Sequence, residues 1–424
     1  MEISWKRNFY TLWIAQLIAI IGFQAIQPFL PYYIQEFDVA DLDEALLWAG
    51  QMGTAAGLSM ALSAPLWGIL ADRFGRKAMV VRAMLGGGVA VSAMAYVTTL
   101  EQLMTARIVQ GVLSGTVAAC TTLVSTTTPR QHLGYALGLM QGAVMLGVSL
   151  GPLFGGPVIE RYGYEPCFLA AGILVALAGV VVKIWVKEDF QPRIRTPNPT
   201  SGRPDSGLWR DATRLLRLKP YLIMVVSLTM IQFTFAMVMP VLPLFLQKLA
   251  ATDNIVSLAG RVFSLMGLVG AISSAVMGRF SDRLGAKRML IAGLLTTALL
   301  MVVQGLSTTV LMLATFRILN GVSIGVIQPV ANALIARVVP DEDRGKAFGL
   351  LTSATAFGFA LGPMAGAHIG VTLGFPAVFA ISGIAFLCLA GWVWLALLNV
   401  DLDEPDRQGL RRMLAIWLRR PSQR

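Results

Sequence analysis

The stretch GILADRFGRK, at residues Gly68–Lys77, recurs 210 residues later as GRFSDRLGAK, at residues Gly278–Lys287. Three further pairs repeat in the same order, with offsets of 210 to 212 residues. They are RIVQG at Arg107–Gly111 with RILNG at Arg317–Gly321, GVSLGPLFGG at Gly147–Gly156 with GFALGPMAGA at Gly358–Ala367, and PFLPYYIQ at Pro28–Gln35 with PVLPLFLQ at Pro240–Gln247. Apolar composition alone does not produce four ordered landmarks at a nearly constant offset. The chain is therefore predicted to be a duplicated unit, with both copies in the same orientation.

The whole chain has the composition of a membrane protein. Of the 424 residues, 56% are hydrophobic and 13% are charged. A soluble domain carries about 25% charged residues, so this chain has too little polar surface for water. Apolar segments of about twenty residues, the length that crosses a bilayer core, recur throughout. They are predicted over 10–33, 48–71, 78–97, 100–124, 133–156, 166–186, 220–247, 255–280, 288–306, 309–335, 345–369 and 373–398.

These segments should be helices, because lipid offers no hydrogen-bond partners to the backbone. The predicted fold class is an all-α membrane protein with twelve transmembrane helices in two pseudo-symmetric six-helix bundles. The predicted domains are an N-terminal half over 1–186, a cytoplasmic linker over 187–219, a C-terminal half over 220–398 and a basic cytoplasmic tail over 399–424. One chain holds both halves, so we expect a monomer surrounded by membrane lipid.

The distribution of lysine and arginine predicts the orientation, since short cytoplasmic loops carry an excess of these residues. The loop Gln35–Leu47 has no Lys or Arg, whereas the next loop holds several, from Arg73 to Arg82. We assign almost all of the 34 basic residues to the side of the N-terminus. The exceptions are Arg161, Lys248 and Arg261 on the opposite side, and Arg107 and Arg317 within helices. Both termini are therefore expected in the cytoplasm.

Other function classes have little support in the sequence. Cys120, Cys167 and Cys388 lie far apart, and His132 and His368 are distant from each other, so no metal site is predicted. No phosphate-binding GxxxxGK[ST] loop is present, and we expect no cofactor. The net charge of +11 belongs to the loops that set the topology, and no nucleic-acid partner is expected.

The motifs resemble those of the major facilitator superfamily, in its twelve-helix drug:proton antiporter family. Residues of the first repeat match the signature GxxxDRxGRK: Gly68, Asp72, Arg73, Gly75, Arg76 and Lys77. Arg107, Gln110 and Gly111 resemble the RxxQG motif of the fourth helix. The fifth helix resembles the antiporter motif of drug exporters at Gly138, Gly147, Gly151, Pro152, Gly155 and Gly156. The resemblance implies a proton-coupled exporter of small lipophilic compounds in a bacterial inner membrane, the plasma membrane.

Each motif has an expected role, and for each an alternative stays open, which for the glycine stripe is packing alone. Asp72 and the basic residues after it are expected to form a latch that holds the cytoplasmic side closed. The alternative, a basic loop that only sets the topology, explains the cations but not the Asp at this spacing. Arg107, a costly charge inside a helix, is expected to act in proton coupling or, alternatively, to fix helix packing. Arg317, its repeat partner, has the same argument with less family support. Gly147, Gly151 and Gly155 permit tight helix contact, and under the export interpretation this contact seals the cytoplasmic side or sets the direction of transport.

The expected substrate cavity combines amide and aromatic side chains, which suit uncharged or cationic amphiphiles. The candidates lie on helices one, four, seven and ten: Phe23, Gln24, Gln27, Gln110, Gln232, Phe235, Asn320 and Gln328. None of the 23 acidic residues lies in the middle of a predicted span. The coupling candidates besides Arg107 and Gln110 are therefore Asp72 and Glu36, near helix ends.

Three other functions remain open at this level. One is a uniporter or symporter of the same fold for a specific metabolite such as a sugar, against which the fifth-helix motif speaks. The second is a membrane-embedded enzyme, which the scarcity of His, Cys and intramembrane acids disfavours. The third is a sensor without transport, for which the sequence offers no appended soluble domain.

Overall fold

The computed structural model describes residues 5–190, 213–250, 254–339 and 344–396. All regular secondary structure in these ranges is helical. Twelve helices in the described part of the chain are long and apolar enough to cross a membrane, which confirms the predicted fold class. The predicted linker is described only at its two ends, and the predicted tail over 399–424 lies outside the described residues.

The first six spans follow the predicted order. The first consists of Trp5–Gln24 and short helical turns that continue to Phe37. The next five are Leu42–Phe74, Arg76–Ala93, a fourth span divided into Leu100–Leu113 and Thr116–Thr127, Leu133–Tyr162, and Tyr164–Trp185. The last six are Lys219–Leu249, Ile255–Leu284, Ala286–Gly305, Val310–Val338, Arg344–Leu373 and Phe375–Ala396.

The second span extends beyond its predicted apolar segment, because a polar residue caps it. The second span begins at Leu42, six residues before the predicted start, since the Asp41 carboxylate accepts a hydrogen bond from the Asp43 backbone N–H at 3.2 Å. An acceptor at this position satisfies a donor that the helix itself cannot pair. Hydropathy therefore located the spans but not their full length.

The duplication is visible in the turns and caps. Tight connections between spans use glycines with positive φ at repeated positions: Gly75 and Gly285, and Gly163 and Gly374. Thr99 and Thr309, 210 residues apart, both cap a helix through their side chains. One difference is that the fourth span breaks at Gly115 (φ 108°), whereas the tenth span is one continuous helix.

Contacts between the two halves lie at the end of the bundle away from the Gly68–Lys77 loop. The second span packs against the eleventh, where Gly53 adjoins Pro363 and Gly57 adjoins Ala360. The fifth span packs against the eighth, where the Ser149 hydroxyl donates to the Ser264 carbonyl at 2.7 Å.

The opposite end is open. A Cβ added at Gly68, Gly134, Gly138 or Gly349 would meet no atom within 4 Å, and Leu62, Leu66 and Ile69 of the second span are exposed. The described halves therefore meet at one end and diverge at the other.

Candidate functional site

A small cavity of about 10 Å³, roughly the room that one water molecule needs, lies inside the N-terminal half. Three of the predicted substrate residues, Phe23, Gln27 and Gln110, line this cavity together with Arg107. Its remaining wall is apolar and comes from the first, third and sixth spans: Ile26, Leu30, Val91, Met94 and Phe168. The structure thus combines an aromatic ring, two amides and one cation in a single apolar pocket.

Arg107 is held in this pocket by its own helix. The side chain is buried, and its Nη1 donates to Gln110 Oε1 at 2.5 Å. The two residues are three positions apart, so they lie on the same helix face. The Nε atom is buried without a partner, and among the described residues no Asp or Glu pairs with this guanidinium. The cation is therefore only partly satisfied and remains available to another acceptor.

The repeated position in the C-terminal half is different. Arg317 is completely buried, and none of its three guanidinium nitrogens has a hydrogen-bond partner among the described residues. Asn320, three residues on, is also completely buried with both amide atoms unpaired. The ring of Phe235 lies 5.9 Å from the guanidinium carbon of Arg317. The other predicted cavity residues in this half, Gln232 and Gln328, are half-buried.

The glycine stripe of the fifth span packs against the first span. A Cβ at Gly147 would lie 2.6 Å from the Ile20 Cβ, one at Gly151 would lie 2.6 Å from the Gln24 Cβ, and one at Gly155 would overlap the Ala25 carbonyl. The eleventh span has an equivalent stripe, which packs in the same way against the seventh span: Gly358, Gly362 and Gly366. Because both halves use it, the stripe is a packing feature of the repeated unit.

The stripe of the fifth span also reaches the C-terminal half in this conformation. At the closed end Gly156 approaches Ser257 of the eighth span, and the Pro152 carbonyl approaches Gly260. Gly138 lies nearest the open end, where an added Cβ would meet no described atom within 4 Å. The expected seal of the cytoplasmic side, or the expected role in the direction of transport, stays a prediction.

Hydrogen bonds hold the closed end together. Gln35 and Gln247, which are repeat partners, bond reciprocally at 3.0 and 2.9 Å. The Tyr32 hydroxyl donates to the Pro243 carbonyl at 2.7 Å. The Glu160 carboxylate accepts from the backbone N–H of Ser257 at 2.7 Å and also from the Ser257 hydroxyl. Gln35, Tyr32, Pro243 and Gln247 lie in the repeated landmark PFLPYYIQ/PVLPLFLQ, whereas Glu160 and Ser257 had no signal in the sequence.

The family model for the Major Facilitator Superfamily matches residues 12–270 and 224–421. This chain belongs to the major facilitator superfamily. Its likeness to known members extends over the whole length. The multi-drug resistance efflux pump PmrA of Streptococcus pneumoniae is 30% identical over 392 residues, covering 92% of this chain and 96% of the relative. The multidrug resistance protein MdtG of Yersinia enterocolitica is 30% identical over 407 residues, covering 96% of this chain and 97% of the relative.

Solved structures support the same fold. A bacterial homologue of the human lysosomal transporter Spinster, in an inward-facing and unoccupied conformation, has a TM-score of 0.74 at 13% identity, covering 92% of this chain and 96% of the other. The human organic anion transporter MFSD10 has a TM-score of 0.68 at 18% identity, covering 92% of this chain and all of the other. The protein is thus a multi-pass membrane transporter and not an enzyme.

In this major facilitator protein, the signature loop is held by a residue that the sequence analysis did not select. The Glu188 carboxylate, just after the sixth span, accepts from the backbone N–H groups of Arg76 and Lys77 at 3.0 and 2.8 Å. These donors open the third span, and a carboxylate there also complements the helix dipole. No spacing rule connects residue 188 with residue 76, so only the fold could reveal the contact.

The predicted latch and coupling acids are not engaged in this conformation. Asp72 and Arg73 are exposed, and Gly68 contacts no neighbouring helix. The second copy of the motif is helical up to Leu284, but its side chains from 278 to 284 lie outside the described part of the chain. Glu36 is exposed at the closed end. The latch and coupling roles therefore remain predictions.

Proposed function

We propose that this major facilitator transporter exports small lipophilic compounds by alternating access, in exchange for protons. The observation that carries the proposal is a cationic, apolar pocket inside a bundle whose halves are joined at one end and separated at the other. A single substrate site between two ends that open in turn is how parallel repeats of this kind transport. Two relatives that match over nearly the full length, one named as a multi-drug resistance efflux pump and one as a multidrug resistance protein, support export.

The direction of the proposal rests on the charge of the loops. Basic residues cluster at the open end, where Arg73, Arg76 and Lys77 follow the second span, and acidic residues cluster at the closed end from Glu36 to Glu44. By the positive-inside rule the open end faces the cytoplasm, as do both termini, in a bacterial inner membrane. In this state the monomer would accept substrate from the cytoplasm or the inner leaflet.

Substrate binding would use the side chains around the small pocket of the N-terminal half, which would widen as the substrate enters. Phe23 and the apolar wall offer contact area to a lipophilic body, while Gln27 and Gln110 orient polar groups through hydrogen bonds. Arg107 contributes a fixed positive charge there. We expect Gln24, Gln232 and Gln328, half-buried on the first, seventh and tenth spans, to complete the cavity when the halves approach.

Coupling to protons would use acids at the two ends and the cation between them. Asp72 lies at the open end and Glu36 at the closed end, both exposed. Protonation of Asp72 or Glu36 would neutralise a carboxylate at one end of the bundle and so change which end is closed. Arg107 and Gln110 would contact the substrate in the pocket between these ends. The Asp72 latch would close the cytoplasmic end when the pocket opens outward.

The test is accumulation of a panel of lipophilic dyes and antibiotics in cells with and without the protein. We expect lower accumulation with the protein, restored by a protonophore and lost in Arg107→Ala. The matched control is Leu311→Ala, at a leucine that is 77% exposed, which should export like the parent. Unchanged accumulation over the whole panel would contradict export and favour a transporter for a specific metabolite.

A further inference from the structure

The unpaired polar cluster of the C-terminal half is not explained by folding. Arg317 and Asn320 together bury five hydrogen-bonding atoms that have no partner in the described structure. Buried polar groups are nearly always paired, and a buried charge without a counter-ion is strongly unfavourable. The two side chains lie three positions apart on one helix face, so a single ligand can complete the hydrogen bonds of both.

The N-terminal half shows why the cluster is unpaired. Gln110 reaches back to Arg107 and accepts a hydrogen bond at 2.5 Å. Asn320 occupies the equivalent position, 210 residues later, but its side chain is one methylene shorter. It forms no bond to Arg317. The shorter amide leaves the guanidinium without a partner among the described residues, and because Arg317 is completely buried, an acceptor from outside the chain would reach it only when the packing around it loosens.

The donors suit one ligand chemistry. A guanidinium donates two parallel hydrogen bonds to the oxygens of a carboxylate, and the Asn320 amide on the same helix face can donate a third. The half-buried Phe235 ring, 5.9 Å from the guanidinium, offers an apolar surface to the rest of the molecule. A phosphate or an inorganic anion would present the same charge but would gain nothing from this ring.

We propose that Arg317 and Asn320 form a subsite for the carboxylate of a lipophilic acid carried by this transporter. The subsite rests on the proposed function, because it assigns a substrate class to the export. Cationic amphiphiles, which the amide and aromatic cavity alone would admit, are disfavoured by two buried arginines and by the lack of a mid-span acid among the described residues. An acid would instead neutralise the charge of Arg317 as it binds.

The experiment compares a fluorescent aromatic carboxylic acid with its methyl ester, by equilibrium binding to the purified full-length protein. We expect the acid to bind at least about tenfold more tightly, the gain of one charge-assisted hydrogen bond. The ratio of the two dissociation constants is the readout, since it is insensitive to a general loss of folded protein. In Arg317→Gln the ratio should fall to about one.

Asn320→Gln is the sharper variant, because it reproduces the pair found in the N-terminal half. The longer amide should occupy Arg317 and lower the ratio several-fold without removing the cation. Leu319→Ala, at an exposed neighbour on the same helix, is the matched control and should keep the parent ratio. A ratio of one in the parent, or an unchanged ratio in both Arg317→Gln and Asn320→Gln, would overturn the subsite.

Two further measurements complete the test. The first distinguishes an organic carboxylate from an inorganic anion, and the second distinguishes failure of the subsite from failure of the proposed export. Benzoate should raise the melting temperature more than chloride at equal ionic strength, whereas equal stabilisation would assign the site to an inorganic anion and overturn the substrate assignment. Export is measured separately in vesicles. Preference for the acid in binding without export of either probe would contradict only the proposed export, and export without preference would contradict only the subsite.

Discussion

Arg107 and Arg317 occupy the same position in the two halves, yet one is hydrogen-bonded and the other is not. The helices that carry them start from equivalent threonine caps, Thr99 and Thr309. The next residue on the same face is Gln110 in one half and Asn320 in the other, and that single methylene decides whether the arginine has a partner. The duplicated backbone thus sets where a functional group lies, and small side-chain changes set what it can bind.

The glycine stripes show the opposite behaviour. In the N-terminal half the stripe packs on the first span, and in the C-terminal half its repeat packs equally closely on the seventh. Close helix contact in a membrane depends on small residues, so both halves need the same residue type at the same spacing. The part that is identical between the halves is packing, and the part that differs is the polar chemistry.

The largest expected effect comes from filling one stripe. Gly155→Ala and Gly366→Ala each place a Cβ on a main-chain carbonyl, of Ala25 and Met237 respectively. Because backbone cannot move aside cheaply, we expect losses at the upper end of the ~1–3 kcal/mol seen for overpacking, or more. Thermal unfolding of the purified protein measures this. Gly138→Ala, where a Cβ meets nothing, is the control.

Equal losses in the two halves would confirm that the stripe is structural. A different result would be that Gly155→Ala keeps the parent melting temperature but stops transport, while Gly366→Ala keeps both. The stripe of the fifth span would then have a directional role of its own.

The next largest effect is a loss of export when Arg107, the arginine with a hydrogen-bond partner, is replaced. Arg107→Gln removes the cation of the pocket and its hydrogen bond to Gln110. Hydrogen bonds to charged groups contribute about 1.5–3 kcal/mol, so export should fall by about ten- to a hundredfold. Initial rates in proteoliposomes with an imposed pH gradient measure the loss. A variant that exports at the parent rate would leave Arg107 with a packing role only.

A smaller effect is expected at the signature loop, where the two copies should differ in how much each contributes to the transport rate. Asp72→Asn should slow transport by about tenfold, the loss of one charge-assisted hydrogen bond in the closed latch. Substrate affinity in this open state should not change, since Asp72 is exposed here. Asp282→Asn should have a weaker effect, because Ala286 stands where the first copy has Arg76. Rates and dissociation constants measured together test this, and equal slowing by both variants would contradict the difference between the copies.

Sequence periodicity and repeats predicted the twelve spans and their order. These features follow from helix length and from residues that share a helix face. The contacts of Glu188 with Arg76 and of Glu160 with Ser257 were beyond prediction. They join segments about a hundred residues apart through single side chains, and no spacing in the chain encodes them. The unpaired state of Arg317 likewise became visible only with its surroundings.

The smallest expected effect is on the melting temperature, from the pair of equivalent glutamines that joins the two halves at the closed end. Gln35 and Gln247 are repeat partners, 212 residues apart, and they bond to each other at the closed end. A neutral hydrogen bond contributes about 0.5–1.5 kcal/mol, so Gln35→Ala and Gln247→Ala should each lower the melting temperature slightly and by similar amounts. Since each variant already removes both reciprocal bonds, the double variant should be little worse than either single one, and thermal unfolding of all three measures this coupling. Additive losses would mean that each amide is held mainly by its own half, as Gln35 is in part through the Pro31 carbonyl, and that the closed end depends on the Tyr32 and Glu160 contacts instead.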